Sequence, residues 1–355
     1  FGVEDSAAGL IIGVATVPGV FLAILVGLAA DRWGRKPVLV PSLTIFGLAG
    51  LACAFAPTFG WFLVFRGLQG AGAAALLNVT AVVIADHWDG TERAKMIGRN
   101  SAFVTVSLTI FPTIGGLLTD SIGWQGPFYA FGLALPLAAA LFLFVPETEL
   151  PGAPGVKDQL VRAGRFAMRP RMLMIAATGV SVFVVLFGAV LTIAPFHAED
   201  VFGLSASMRG LLLGLPSLTT TVVALFLGRL IGRFGTVRLL VVGSLFYAAA
   251  FTTMGAAGLL WVFAIGMLAN GVAEGFTITV LQDATLEGSK PETRGIAASL
   301  FGTAARLGQT IGPAIAAPIA VGLGTGSSFF VFAAMAALLA GGVLAGREHL
   351  RPQLG

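Results

Sequence analysis

The chain has 355 residues, of which 57% are hydrophobic and only 11% charged, with a formal net charge of +4 and a single cysteine. A mean hydropathy of +0.93 is more apolar than a soluble domain can hide, so soluble enzymes and nucleic-acid binders are excluded and lipid is the solvent implied. Cys53, alone in an apolar run, excludes a disulfide or a cysteine metal site and reads as a small core residue.

In chain order, eleven apolar runs lie near 8–28, 38–56, 61–84, 98–118, 127–145, 172–195, 209–228, 239–256, 259–283, 296–321 and 327–346. A run of about 20 residues at 1.5 Å per residue matches roughly 30 Å of hydrocarbon. None alternates apolar with polar residues, which excludes a barrel. The expected fold class is an all-α, polytopic membrane protein. When the runs are threaded alternately, eighteen of the 21 Lys and Arg fall on one side, including Arg32, Arg35, Lys36, Arg93, Arg99, Arg165, Arg233, Arg238, Arg294 and Arg347. The opposite loops carry Glu4, Asp5, Asp120, Glu199 and Asp200 with Arg209 alone. The positive-inside rule makes the basic side cytoplasmic and places the C-terminus there, in a plasma (inner) membrane.

Residues 1–14, FGVEDSAAGLIIGV, match residues 202–215, FGLSASMRGLLLGL, at six of fourteen positions with an offset of 201. The register persists: Gly27 maps to Gly228, Arg32 to Arg233, Gly34 to Gly235, Arg93 to Arg294, Pro112 to Pro313 and Gly123 to Gly324. Two homologous halves with the same membrane orientation form a parallel repeat about an axis along the membrane normal. The domain expectation is a first bundle at 1–145, a basic cytoplasmic linker at 146–171 and a second bundle at 172–355. In the second half one apolar run, 172–195, precedes the repeat of the opening segment, so the reading expects eleven of twelve helices here, with the first of a six-plus-six set encoded upstream.

The loop GLAADRWGRKPVL at 27–39 resembles the signature between helices two and three of the major facilitator superfamily, with Ala29 as its one departure. The resemblance implies two six-helix bundles related by a pseudo-two-fold axis, a substrate cavity between them, and alternating access. It also implies a conformational latch at Gly27, Asp31, Arg32, Gly34, Arg35 and Lys36, whose glycines allow a tight turn and whose charges grip the other half. The second copy, GRLIGRFGTVRLL at 228–240, has Gly232 where the first has Asp31.

FRGLQGAGAA at 65–74 resembles the family's fourth-helix motif, which implies that Arg66 faces the cavity with Gln69 and Asn78 as hydrogen-bonding neighbours. An intramembrane Arg marks a site or a buried pair; the bland reading is that Arg66 snorkels to the nearby interface. SLTIFPTIGG at 107–116 and GQTIGPAIAA at 308–317 each match part of the fifth-helix signature of proton-coupled exporters. That resemblance implies bending points at Pro112, Gly115, Gly116, Gly308, Gly312 and Pro313.

Glu274 and Arg306 are the other charges placed well inside the bilayer, each roughly 14–15 Å from the cytoplasmic end of its run. Two readings follow: a structural ion pair on consecutive helices, or a cavity carboxyl that takes and releases a proton with Asn270 one turn away on the same face. The three histidines, His87, His197 and His349, fall in loops or the tail and read as solvated. No nucleotide-phosphate loop, metal-ligand cluster or nucleophile–base set is present in the sequence, so no enzymatic activity, cofactor or metal is expected. The functional expectation is a monomeric secondary transporter whose partners are a small-molecule substrate, protons and the bilayer, with no nucleic acid. The resemblance favours proton-coupled efflux of hydrophobic or cationic molecules, a multidrug antiporter. A metabolite exporter, a proton symporter and a non-transporting membrane sensor are the alternatives.

Overall fold

The computed structural model describes residues 2, 7–88, 90–145, 161, 164–287 and 294–350. The helices are α1 Ala8–Trp33, α2 Arg35–Cys53, α3 Phe59–His87, α4 Gly90–Ile122, α5 Gly126–Phe144, α6 Pro170–Phe202, α7 Ala206–Leu225, α8 Leu227–Phe234, α9 Thr236–Gly255, α10 Leu260–Leu286, α11 Arg294–Leu323, α12 Thr325–Ala345 and the short α13 Arg347–Leu350. Seven of them (α2, α5, α6, α7, α9, α10 and α12) are long and apolar enough to cross a membrane over their described residues, and α1 and α4 contain shorter apolar stretches at Gly9–Leu22 and Val106–Ile122. Each apolar run has its helix, and most helices overrun their runs because polar residues at the ends continue the backbone hydrogen bonding past the hydrocarbon. The short α8, with Arg229 and Arg233, replaces an expected loop.

Glycine turns carry the repeat. Gly34, at φ 101° and ψ 162°, turns α1 into α2 within one residue, and Gly235, at φ 76° and ψ 157°, does the same between α8 and α9. A side chain at either position would be strained, since L-residues avoid positive φ. The remaining positive-φ glycines form two more pairs at the same offset of 201, Gly2 with Gly203 and Gly123 with Gly324.

Within the first half, α1 and α2 pack on α3, and α2 also packs on α5; within the second, α6 packs on α11, and α9 on α10 and α12. The second half buries Tyr247, Phe251, Phe263, Phe329 and Phe332 almost completely, and Cys53 is buried in the first. The halves meet along two seams, α1 against α11 and α4 against α7. Hydrocarbon is as apolar as Leu, so close packing and hydrogen bonds, rather than apolar burial, hold helices together there.

The seams are copies of one contact. Gly9 lies on the Pro313 carbonyl and Gly13 on the Thr310 carbonyl; in the other seam Gly210 lies on the Pro112 carbonyl and Gly214 on the Thr109 carbonyl. Each member of the first set maps onto the second at an offset of 201. A Cβ at Gly9, Gly210 or Gly214 would collide with these carbonyls. All four approaches lie toward the ends of the helices remote from the basic loops, referred to below as the acidic end, so the halves are closed together there.

Candidate functional site

Two polar clusters lie inside the helical bundles. In the first half, Arg66 on α3 is half-buried; its Nε donates to the Ile11 carbonyl of α1 at 3.3 Å, its Nη1 donates to Gln69 Oε1 at 2.7 Å, and its guanidinium lies 5.9 Å from the Phe128 ring centroid. Arg66 is therefore turned into the bundle, and the snorkelling alternative does not hold. One helical turn brings Gln69 under Arg66, and Gln69 is 3% exposed. Its Nε2 is buried and has no hydrogen-bond partner among the described residues.

In the second half, Asn270 Nδ2 donates to Glu274 Oε1 at 2.7 Å, again one turn away on the same helix, α10. The Thr220 hydroxyl on α7 lies 3.4 Å from Glu274 Oε2 and 2.8 Å from the Gly271 carbonyl. Asn270 is fully buried, and its Oδ1 has no partner among the described residues. Glu274 stands at the edge of a π-helical stretch, Gly275–Thr279. A wide turn of this kind interrupts the regular ladder and occurs often at functional sites. A second π stretch, Phe187–Ile193, lies in α6, where Gly188 closes on Gly312 of α11.

Gln69 and Asn270 occupy the same repeat position, 201 residues apart, a correspondence that sequence reading missed although both residues were singled out. Each amide is oriented by a charged neighbour. The cation in the first half takes the amide oxygen and leaves a donor over; the carboxylate in the second takes the amide nitrogen and leaves an acceptor over.

Arg306 and Glu274 do not pair. Arg306 on α11 reaches across the α1–α11 seam instead, packs against Gly19 of α1, and donates from Nη2 to the Ala74 carbonyl of α3 at 3.4 Å. The reason is helix rotation: α11 turns Arg306 toward the first half, and one turn on, Thr310 Oγ1 is 2.8 Å from Thr16 Oγ1 of α1. Among the described residues Glu274 has no ion-pair partner.

The bending-point residues divide. Pro112 and Gly116 face α7, where Gly116 meets Ala206 and Ser207, whereas Gly115 has open space around it. Gly308 and Gly312 pack on α6 within their own half, against Val180, Phe183 and Val184, while Pro313 faces α1. The expected loop at 27–39 is instead the end of α1 and the start of α2, joined at Gly34, where Arg32 is exposed, Arg35 is half-buried, and Lys36 Nζ lies 5.2 Å from the Phe142 ring centroid. Gly27 lies within α1, but its surroundings and the side chains of Asp31 and Asn78 are outside the described residues.

His197 corrects the expectation of a solvated histidine. It is 4% exposed inside α6, stacked on Phe263 with centroids 5.4 Å apart and edge-on to Phe202 and Phe329. Its Nδ1 is 3.0 Å from Thr325 Oγ1. The polar string His197-Ala198-Glu199-Asp200 mimics a loop, but α6 runs on to Phe202 and tucks the ring among aromatics. His349 is exposed on α13, and the side chain of His87 is outside the described residues. Among the described residues no cluster of His, Cys, Asp or Glu is arranged to hold a metal.

Two repeat-related helical bundles that meet along matched seams and enclose buried polar groups define the class: a polytopic membrane transporter. The chain belongs to the Major Facilitator Superfamily, whose family model matches residues 1–209 and 186–353. Multidrug resistance protein MdtL of Escherichia fergusonii is 25% identical over 303 residues, covering 84% of this chain and 76% of that protein. Among solved structures, a bacterial homolog of the human lysosomal transporter Spinster, in an inward-facing and occupied conformation, superposes with a TM-score of 0.79 at 17% identity, covering 100% of this chain and 92% of that one. A D-xylose-proton symporter superposes with a TM-score of 0.74 at 17% identity over 96% of this chain and 88% of its own.

Proposed function

We propose that the chain is a proton-coupled exporter of hydrophobic or cationic small molecules, working by alternating access between its two halves in an inner membrane, with the basic loops and the C-terminus on the cytoplasmic side. The observation that carries this reading is Glu274: a carboxyl deep in a membrane helix, hydrogen-bonded by Asn270 and approached by the Thr220 hydroxyl, with no ion-pair partner among the described residues. A carboxylate stranded in low dielectric without a cation is costly as an anion, and the cost falls when it takes up a proton or meets a cationic substrate. Competition between those two events for one carboxyl is antiport: substrate leaves as the proton enters, and the proton is released on the other side.

In this reading residues 1–145 and 172–355 are the moving bundles and 146–171 the cytoplasmic linker. Arg66, Gln69, Asn78, Asn270 and Arg306 tune the cavity beside Glu274. The loop at Gly27–Lys36 steadies one access state, and the Pro–Gly segments of α4 and α11 bend. The name of the MdtL relative supports drugs over sugars as cargo. The test is reconstitution in liposomes with a pH gradient and a lipophilic cationic dye. Dye accumulation that follows the gradient and vanishes when nigericin collapses it is expected; transport indifferent to the gradient, or dye ignored while a sugar is moved, refutes the proposal.

A further inference from the structure

The two seams match contact for contact over Gly9, Gly13, Gly210 and Gly214 and then part company at the acidic end. On α4, Asp120 reaches across to the first turn of α7: Ala206 N donates to Asp120 Oδ1 at 3.0 Å and Ser207 N donates to Asp120 Oδ2 at 2.9 Å. The offset of 201 places Val321, which accepts nothing through its side chain, at the corresponding position of α11. The repeat therefore does not explain this contact; it is an addition to one seam.

Its chemistry is complete. The first N–H groups of a helix have no partner inside it. Ser205 caps α7 from within the second half, its hydroxyl accepting from Met208 N at 3.5 Å, and the two N–H groups before Met208 donate to a carboxylate from the first half. Both carboxylate oxygens are used, and the charge lies at the positive end of the helix dipole, where an anion is favoured. The nearby cation on α7, Arg209, is already paired with Glu199 of α6, so the helix end rather than a side chain holds Asp120. Ala206 and Ser207 also face Gly116, which lets α4 come close enough for the carboxylate to reach.

We propose that Asp120 is a latch that holds the acidic end of the transporter shut: a positioning residue that stabilises this access state and hands both N–H groups to water when the halves part. It rests on the alternating-access reading above, but not on the identity of the cargo or the coupling ion. The test uses spin labels at the acidic end on either half, at Phe55→Cys and Leu259→Cys in a Cys53→Ala background, with distance distributions recorded in lipid nanodiscs. Both labelled side chains are exposed, at 67% and 56%.

Asp120→Ala is expected to raise the ratio of long-distance to short-distance populations about tenfold, the scale of losing charge-assisted hydrogen bonds. Asp120→Asn, which retains one acceptor oxygen, is expected to raise it less, and it serves alone if the alanine variant does not fold. Asp200→Asn removes the same charge at the same end from an exposed position on α6 outside the seam, leaves the Arg209–Glu199 pair intact, and should leave the ratio where it was. Two populations whose balance does not move in either Asp120 variant, or moves equally in Asp200→Asn, overturn the latch while leaving alternating access standing. A single distance in every variant overturns both.

Discussion

Glu274 and Arg306 stand on consecutive helices of the second half and turn away from each other, one toward Asn270 and Thr220, the other across the seam to Ala74. A double-mutant cycle reads this directly. Glu274→Gln and Arg306→Gln should change the melting free energy independently, adding to within about 0.5 kcal/mol; recovery of a destabilised single variant in the double would show a pair. The one-turn relation of Asn270 to Glu274 was legible in the sequence because it needs only helical spacing. The direction of Arg306 was not, because it depends on how α11 is rotated against α1, which the glycine contacts at Gly9, Gly13 and Gly19 set. His197 was misread for a related reason: polar neighbours suggested solvent, while the aromatic rings that bury it arrive from α10 and α12, far away in sequence.

At the level of elements, the order and number of the long apolar helices were legible because hydrocarbon imposes a length and a composition on each of them, while their ends were not, as in Gly90–Ile122 against the run at 98–118. What escaped notice was the departure from regular helix. The π stretches at Phe187–Ile193 and Gly275–Thr279 have no periodic signature, since each follows from packing against neighbours; the short α8 does have one, with Leu227, Leu230, Ile231 and Phe234 set against Arg229 and Arg233, but its length and basic residues suggested a loop. The turn at Gly34 was visible as a motif, and its geometry gives a contrast that can be measured. Gly34→Ala places a Cβ at φ 101° and ψ 162°, a region open essentially to glycine, and should lower stability by about 1–3 kcal/mol. Gly232→Ala, inside α8 with open space around it, should be neutral or stabilising by about 0.5–1 kcal/mol. Denaturation midpoints of the two purified variants against the parent protein check both values.

Across the whole molecule, the repeated seam contacts explain why one sequence duplicated gives a closed acidic end: glycines of α1 and α7 admit the carbonyls of α11 and α4 at equivalent places. Gly210→Val drives a branched side chain into the Pro112 carbonyl, so in a Cys53→Ala background it should make a cysteine placed in that seam at Thr109 reactive to a membrane-impermeant maleimide. Gly228→Val, with nothing near it, should not. Equal labelling of the two would mean that the seam does not set access. The central claim, that Glu274 carries the coupled proton, is tested most directly by comparing two transport modes of Glu274→Gln in liposomes. Dye accumulation driven by a pH gradient should fall to the level of protein-free vesicles, while exchange of labelled for unlabelled dye without a gradient persists, because substrate still binds and the halves still alternate. Gradient-driven accumulation that survives intact in Glu274→Gln would contradict the account.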